Sequence, residues 1–210
     1  MNTIGNCVYD NFNPLGVDIS GWNGEHYIFG EIISSIKPKV IIEVGTWKGL
    51  SAITMANELK KQALSSKIYC VDTWLGSQEF WTDLRDTKER DLKLINGYPS
   101  IYYQFISNVI NNNAQDYIIP VPNTSKIGAE ILRFMNVTAD VIYIDASHDE
   151  ESVLNDNRYF LPLLKKGGIM FGDDYGLPGV KKAVDAIYPE IKIIENNYWI
   201  YENKHFNTTL

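Results

Sequence analysis

Ala139-Asp-Val-Ile-Tyr-Ile-Asp145 and Gly168-Ile-Met-Phe-Gly-Asp173-Asp174 are two short apolar runs that each end in acid. Buried parallel strands read this way, and ligands of open α/β sheets sit outside the carboxyl ends of their strands. Carboxylates are costly to leave unpaired beside a core. Asp145, Asp173 and Asp174, delivered to one place by two strand ends, therefore call for a cation. Oxygen ligands without Cys or His at metal spacing suit Mg²⁺, Ca²⁺ or Mn²⁺ better than zinc, and Mg²⁺ is the expected ion. The competing reading has Asp173 capping the next turn and Asp174 facing solvent.

Outward from these runs, strand and helix patterns alternate, as in a parallel sheet covered on both faces. Strands are expected over 40–45, 67–73, 117–121, 141–145 and 169–172. Helices are expected over 24–36, 50–62, 100–111, 126–135, 150–166 and 180–188. The helix over 150–166 is expected to end at Gly167-Gly168, and the one over 180–188 at Pro189. Residues 191–194 and 198–201 read as a hairpin turning at Asn196-Asn197, because Asn tolerates positive φ. The expected fold is α/β: a doubly wound, Rossmann-like sheet, mostly parallel, of seven strands with a C-terminal antiparallel hairpin. The chain of 210 residues fits one domain. Residues 1–38 form an N-terminal helical extension. The charged stretch 76–99 breaks the rhythm and reads as a lid inserted after a strand, or as a solvated insertion without chemical role.

The balance of charge narrows the partners. Net charge is −7 and no basic run stands out, which argues against a nucleic-acid binder. Cys7 and Cys70 make no disulfide framework, so a cytoplasmic location is expected. No apolar stretch reaches the roughly 18 residues of a membrane span, and the N-terminus does not read as a signal peptide. A homodimer is admitted but not required.

Glu43-Val-Gly45-Thr46-Trp47-Lys-Gly49-Leu-Ser51 joins the first strand to the first sheet-covering helix. Gly45 allows a tight turn, Gly49 a close helix start, and free N–H groups there can hold an anion. The spacing is neither a dinucleotide fingerprint nor a Walker loop. Asp72 ends the second strand, where an acid accepts from ribose hydroxyls in doubly wound folds, or else caps the turn. Thr73 and Trp74 follow; Trp74 would lie on an adenine face or pack in the core. Ser125 would approach the adenine edge, or with Thr124 cap the next helix.

Together these motifs resemble class I S-adenosylmethionine-dependent methyltransferases, specifically the divalent-metal-dependent O-methyltransferases. Val40 to Gly49 is similar to their first motif and Val71-Asp72-Thr73-Trp74-Leu-Gly76 to the second. Tyr143-Ile-Asp145-Ala-Ser-His148, Leu163 to Gly168 and Gly172-Asp173-Asp174-Tyr175 resemble the macrocin-type branch, which methylates sugar hydroxyls. The resemblance spans about residues 38–176. It implies that Glu43, Gly45 and Ser51 serve the methionine part of S-adenosyl-L-methionine. Asp72 would hold the ribose, Ser125 would meet the adenine, and Asp145, Asp173 and Asp174 would hold the metal. Thr46, Trp47, Gly49, Thr73, Trp74 and Asp145 complete the expected cofactor contacts. Relatives of the catechol and caffeoyl-CoA type carry a Lys three residues after the first metal Asp and an Asn as third ligand; this chain has His148 and Asp174 there.

The implied reaction moves a methyl group to a small-molecule hydroxyl, on a sugar or a phenol. His148 is the candidate base, with Asp145 as the alternative; otherwise His148 merely bonds Asp149 or Glu151 at the helix start. Two other readings stand beside this one: a metal-dependent hydrolase on the same fold, and a module that binds S-adenosylmethionine without turnover.

Overall fold

The computed structural model describes residues 8–82 and 91–204. Its centre is a seven-stranded sheet in the order β3-β2-β1-β4-β5-β7-β6. The strands are β1 (Val40–Val44), β2 (Lys67–Asp72), β3 (Ile118–Pro122), β4 (Ala139–Ile144), β5 (Leu164–Gly172), β6 (Lys192–Ile194) and β7 (Tyr198–Glu202). β1 to β5 run parallel; β7 is antiparallel to both β5 and β6. Strand order reverses between β1 and β4, so the carboxyl ends of that pair open the crevice where ligands of such sheets bind.

Alternation along the strands makes the two cores. Ile41, Ile68, Cys70, Val141 and Phe171 face one layer, with α1 (Ile28–Ile36), α2 (Leu50–Lys61) and α4 (Ile101–Asn111) packed on them. Ile42, Val44, Val71, Ile142, Ile144 and Met170 face the other, under α5 (Ser125–Phe134), α6 (Glu150–Phe160) and α7 (Pro178–Ile187). A side-chain period of two on fully covered strands gives this division. A short α3 (Gln78–Thr82) follows β2. Among the described residues no helix is long and apolar enough to cross a membrane.

Three local expectations fail for identifiable reasons. The helix expected to reach Lys166 stops at Phe160. Pro162 has no N–H for a further helical bond, so Leu161–Leu163 tightens into a 3₁₀ turn and β5 begins at once. Gly167 and Gly168 therefore sit in a bulged start of β5, where its register against β4 shifts between Ala139 and Val141. The last hairpin turns at Glu195 and Asn196, with φ of +51° and +56°, rather than at Asn196-Asn197. Glu195 is held in that unfavourable conformation by contacts: its carboxylate bonds His26 Nε2 at 3.1 Å and Tyr27 Oη at 3.0 Å. The N-terminal helix starts at Ile28, not Gly24, because Gly24 lies flat against the first turn of α2.

Candidate active site

The first wall is the turn between β1 and α2. Gly45 and Gly49 both adopt positive φ, +83° and +91°. A Cβ on Gly45 would stand 1.9 Å from the Asp145 carbonyl oxygen, so only glycine lets β1 and β4 meet here. Two carboxylates brace this turn from below. Glu43 is fully buried and accepts from Thr46 Oγ1 at 2.9 Å, Ser51 Oγ at 2.5 Å and Cys70 Sγ at 3.4 Å. Burial pushes its pKa up to about 7 against those hydrogen bonds. Asp72 accepts from Thr46 N and Trp47 N at 2.8 Å each, and from Trp74 N at 2.7 Å.

Asp72 is thus a turn cap in this structure, with three of roughly four lone-pair directions occupied. Glu43 lies beneath the turn and reaches a ligand only through Thr46 and Ser51. Trp74 takes the core alternative rather than the adenine one. Its indole is 1% exposed, packs on Tyr102 and Phe105, and donates to the Trp47 carbonyl at 2.8 Å. It is core and offers no face to an adenine. Thr73 is exposed and its Oγ1 accepts from Leu75 N at 3.2 Å. Ser125 opens α5 after the Thr124 cap, and its hydroxyl bonds Asp156 of α6.

The second wall is an acidic ledge at the ends of β4 and β5. Donor atoms of Asp145, His148 and Asp174 lie within 4.8 Å of one another. His148 Nε2 is 3.0 Å from Asp174 Oδ2, and that bond raises the imidazole pKa against desolvation. Asp173 is only 5% exposed and shares a hydrogen bond with Asp145. Burial, then the neighbouring charges of Asp173 and Asp174, lift Asp145 well above the usual carboxylate range. Burial and Asp174 push Asp173 up to about 6. Tyr143 Oη donates to Asp145 at 3.1 Å from the same strand. The residues that converge are therefore Asp145, Asp174 and His148, with Asp173 behind them.

A methyltransferase-domain family model matches residues 42–175, the stretch that carries both walls. The chain belongs to this methyltransferase family. No curated protein matches the sequence. Solved structures share the methyltransferase fold at low identity. An O-methyltransferase from Bacillus cereus in complex with SAH is 17% identical, with 89% of this chain and 82% of that one covered and a TM-score of 0.56. The calicheamicin methyltransferase CalS11 is 16% identical over 82% of this chain and 75% of its own, at a TM-score of 0.56. The O-methyltransferase NovP is 18% identical over 85% and 77%, at 0.57.

The methyltransferase has a third wall, where the front of the charged stretch after β2 meets Trp47 and Trp22. Phe80 of α3 meets Trp47 of the turn edge-on at 4.7 Å, and Trp22 lies 6.1 Å from Phe80. Trp81 Nε1 donates to the Leu75 carbonyl at 2.9 Å, leaving its ring about half exposed. The expected lid is thus docked at its front. At its rear, Leu92 is buried and Ser100 N donates to the Leu92 carbonyl. The middle of that stretch, 83–90, lies outside the described residues. Tyr143 was discoverable: it stands two residues before Asp145 on one strand, hence on the same face.

Proposed function

We propose that this methyltransferase is an S-adenosylmethionine-dependent O-methyltransferase acting, with divalent-metal assistance, on a hydroxyl of a small molecule, a sugar or a phenol. The observation that carries the reading is the contact between the two walls. The Gly45 turn touches the Asp145 backbone, so a methyl donor on the turn and a hydroxyl on the ledge would be neighbours.

The donor set fits a hard cation. Burial first, and then the charges of neighbouring carboxylates, raise the pKa values of Asp145 and Asp173, and a divalent ion would offset both costs. Asp145, Asp174 and Asp173 would hold it, with Mg²⁺ the simplest ion for oxygen ligands. Bound there, it would supply Lewis acidity that makes an acceptor hydroxyl easier to ionise. The methyl group passes from a sulfonium sulfur to the acceptor oxygen, the hydroxyl proton leaves to a base, and S-adenosylhomocysteine remains. His148 is that base, oriented by Asp174 through Nε2. One nitrogen cannot both ligate the ion and take a proton, so Nε2 as a metal ligand would pass the base role to Asp145. On the other wall Gly45, Gly49 and Ser51 cradle the methionine end. The remaining lone pair of Asp72 faces the ribose, and residues 76–82 and 91–99 flank the acceptor.

Turnover on a panel of sugar and phenol hydroxyls, with labelled S-adenosylmethionine, tests the reading. Methylation of at least one class should stop in EDTA and return with Mg²⁺, while S-adenosylhomocysteine binding survives chelation. Full turnover in EDTA contradicts the metal role. Tight cofactor binding without turnover on any hydroxyl favours the binding module.

A further inference from the structure

Residues 15–24 form an irregular strap held to the domain by polar contacts. Leu15 N donates to Ser107 Oγ at 2.9 Å, and Gln104 Nε2 donates to the Gly16 carbonyl at 2.9 Å. Asn108 of α4 is fully buried; its Oδ1 accepts from Asp18 N at 3.1 Å and its Nδ2 donates to the Asp18 carbonyl at 2.7 Å. The same amide nitrogen reaches the Lys48 carbonyl at 2.9 Å, which ties the strap to the cofactor turn.

Asp18 is the fastening. Its carboxylate lies 3.1 Å from Lys48 Nζ and 2.7 Å from Lys93 Nζ. Lys48 belongs to the Gly45–Gly49 turn and its side chain is wholly buried; Ser20 Oγ accepts from it at 2.9 Å. Lys93 stands on the segment that leads into α4 and also donates to Gln104 Oε1 at 2.7 Å. Burial pushes the Asp18 carboxyl upward, but bonds from Lys93 and Lys48 outweigh it and hold the group well below the usual carboxylate range. Further along, a Cβ on Gly24 would stand 2.8 Å from Ser51 N. The strap therefore roofs the first turn of α2, where helix-start N–H groups would meet a ligand carboxylate.

An ion pair with one buried partner is weak evidence for stability, because desolvation offsets attraction; fixing one arrangement is its better attested use. We propose that Asp18 is a positioning residue that fastens this strap over the methionine end of the cofactor pocket, so that strap closure and cofactor binding stabilise each other. The inference rests on the turn being the cofactor site. Coupling of this kind is reciprocal: whatever the strap adds to cofactor affinity, the cofactor adds to strap closure.

The test is calorimetry with S-adenosylhomocysteine beside hydrogen exchange over residues 15–24, 76–82 and 91–99. In the wild type, the ligand should slow exchange in 15–24. Asp18→Asn should weaken affinity about tenfold, within the usual range of coupling between sites, and abolish that slowing. Asp18→Glu should restore both. Should Asp18→Asn fold poorly, Lys93→Met removes one arm of the fastening while leaving the buried Lys48 paired, and should show a smaller loss of the same kind. An Asp18→Asn protein that melts lower but binds within twofold of wild type overturns the proposal, as does wild-type exchange indifferent to ligand. A wild type that does not bind S-adenosylhomocysteine overturns the cofactor reading as well, which separates the two failures.

Discussion

The two acidic regions of the crevice are built in opposite ways. Under the Gly45–Gly49 turn, the carboxylates of Glu43 and Asp72 accept six hydrogen bonds from the protein itself. On the ledge, Asp145, Asp173 and Asp174 meet chiefly one another, with a histidine and a tyrosine hydroxyl at the edge. Carboxylates satisfied mainly by backbone and hydroxyl donors fix a turn and call for no cation. Carboxylates crowded without a full set of donors are a conflict that a ligand resolves. On the proposed reading, the difference separates the wall that shapes a pocket from the wall that would hold an ion.

Breaking the ledge should have the largest effect. His148→Ala should cut turnover by about 10²–10⁴-fold, the usual worth of a positioned base, and leave cofactor affinity nearly unchanged. The Asp174 bond raises the His148 pKa in the free protein, and the ascending limb of the pH–rate profile should flatten or move in the variant. A loss under about tenfold with the limb in place would assign the proton to Asp145.

A smaller effect is expected at the turn. Asp72→Ala should weaken S-adenosylhomocysteine binding by about 1.5–3 kcal/mol, the range for hydrogen bonds to a charged group. The variant should also melt lower, since three backbone N–H groups lose their acceptor. Calorimetry showing unchanged affinity, with only the melting point lowered, would reduce Asp72 to a cap.

Much of this contrast was legible in the sequence, because it rests on position. Two apolar runs ending in Asp145 and in Asp173-Asp174 place acids at neighbouring strand ends whatever their side chains then do. Gly45 and Gly49 likewise announce a turn that a Cβ would obstruct. What the sequence withheld was partnership. Nothing in Val71-Asp72-Thr73 says that the carboxylate turns back to the Thr46 and Trp47 amides. Nor does Trp74 reveal from sequence whether it faces adenine or Phe105. The convergence of His148 with Asp145 and Asp174 depends on how α6 leaves β4. The strap was invisible because its contacts, Asp18 to Lys48 and to Lys93, join residues far apart along the chain and carry no periodicity. Pro162, by contrast, is a local sequence signal for the early end of α6.

The smallest expected effect is a pH dependence of stability. Glu43 has an ordinary pKa of 4.5 and is pushed up to about 7 in the fold. Between those values the unfolded chain has released the proton and the folded chain still holds it, so stability falls as pH rises through that window. Thermal melts of the free protein across it should show the decline, and Glu43→Gln should flatten it. A parallel slope in the variant would place the pH dependence elsewhere, with the ledge carboxyls the next groups to test.

The central claim, that the ledge is a cation site and the turn is not, is tested most directly by titrating Mg²⁺ or Mn²⁺ into the protein saturated with S-adenosylhomocysteine, followed by calorimetry. One site per chain is expected in the wild type, lost in Asp145→Asn/Asp174→Asn and retained in Asp72→Asn. Absence of binding in the wild type, or equal binding in the ledge variant, would contradict it.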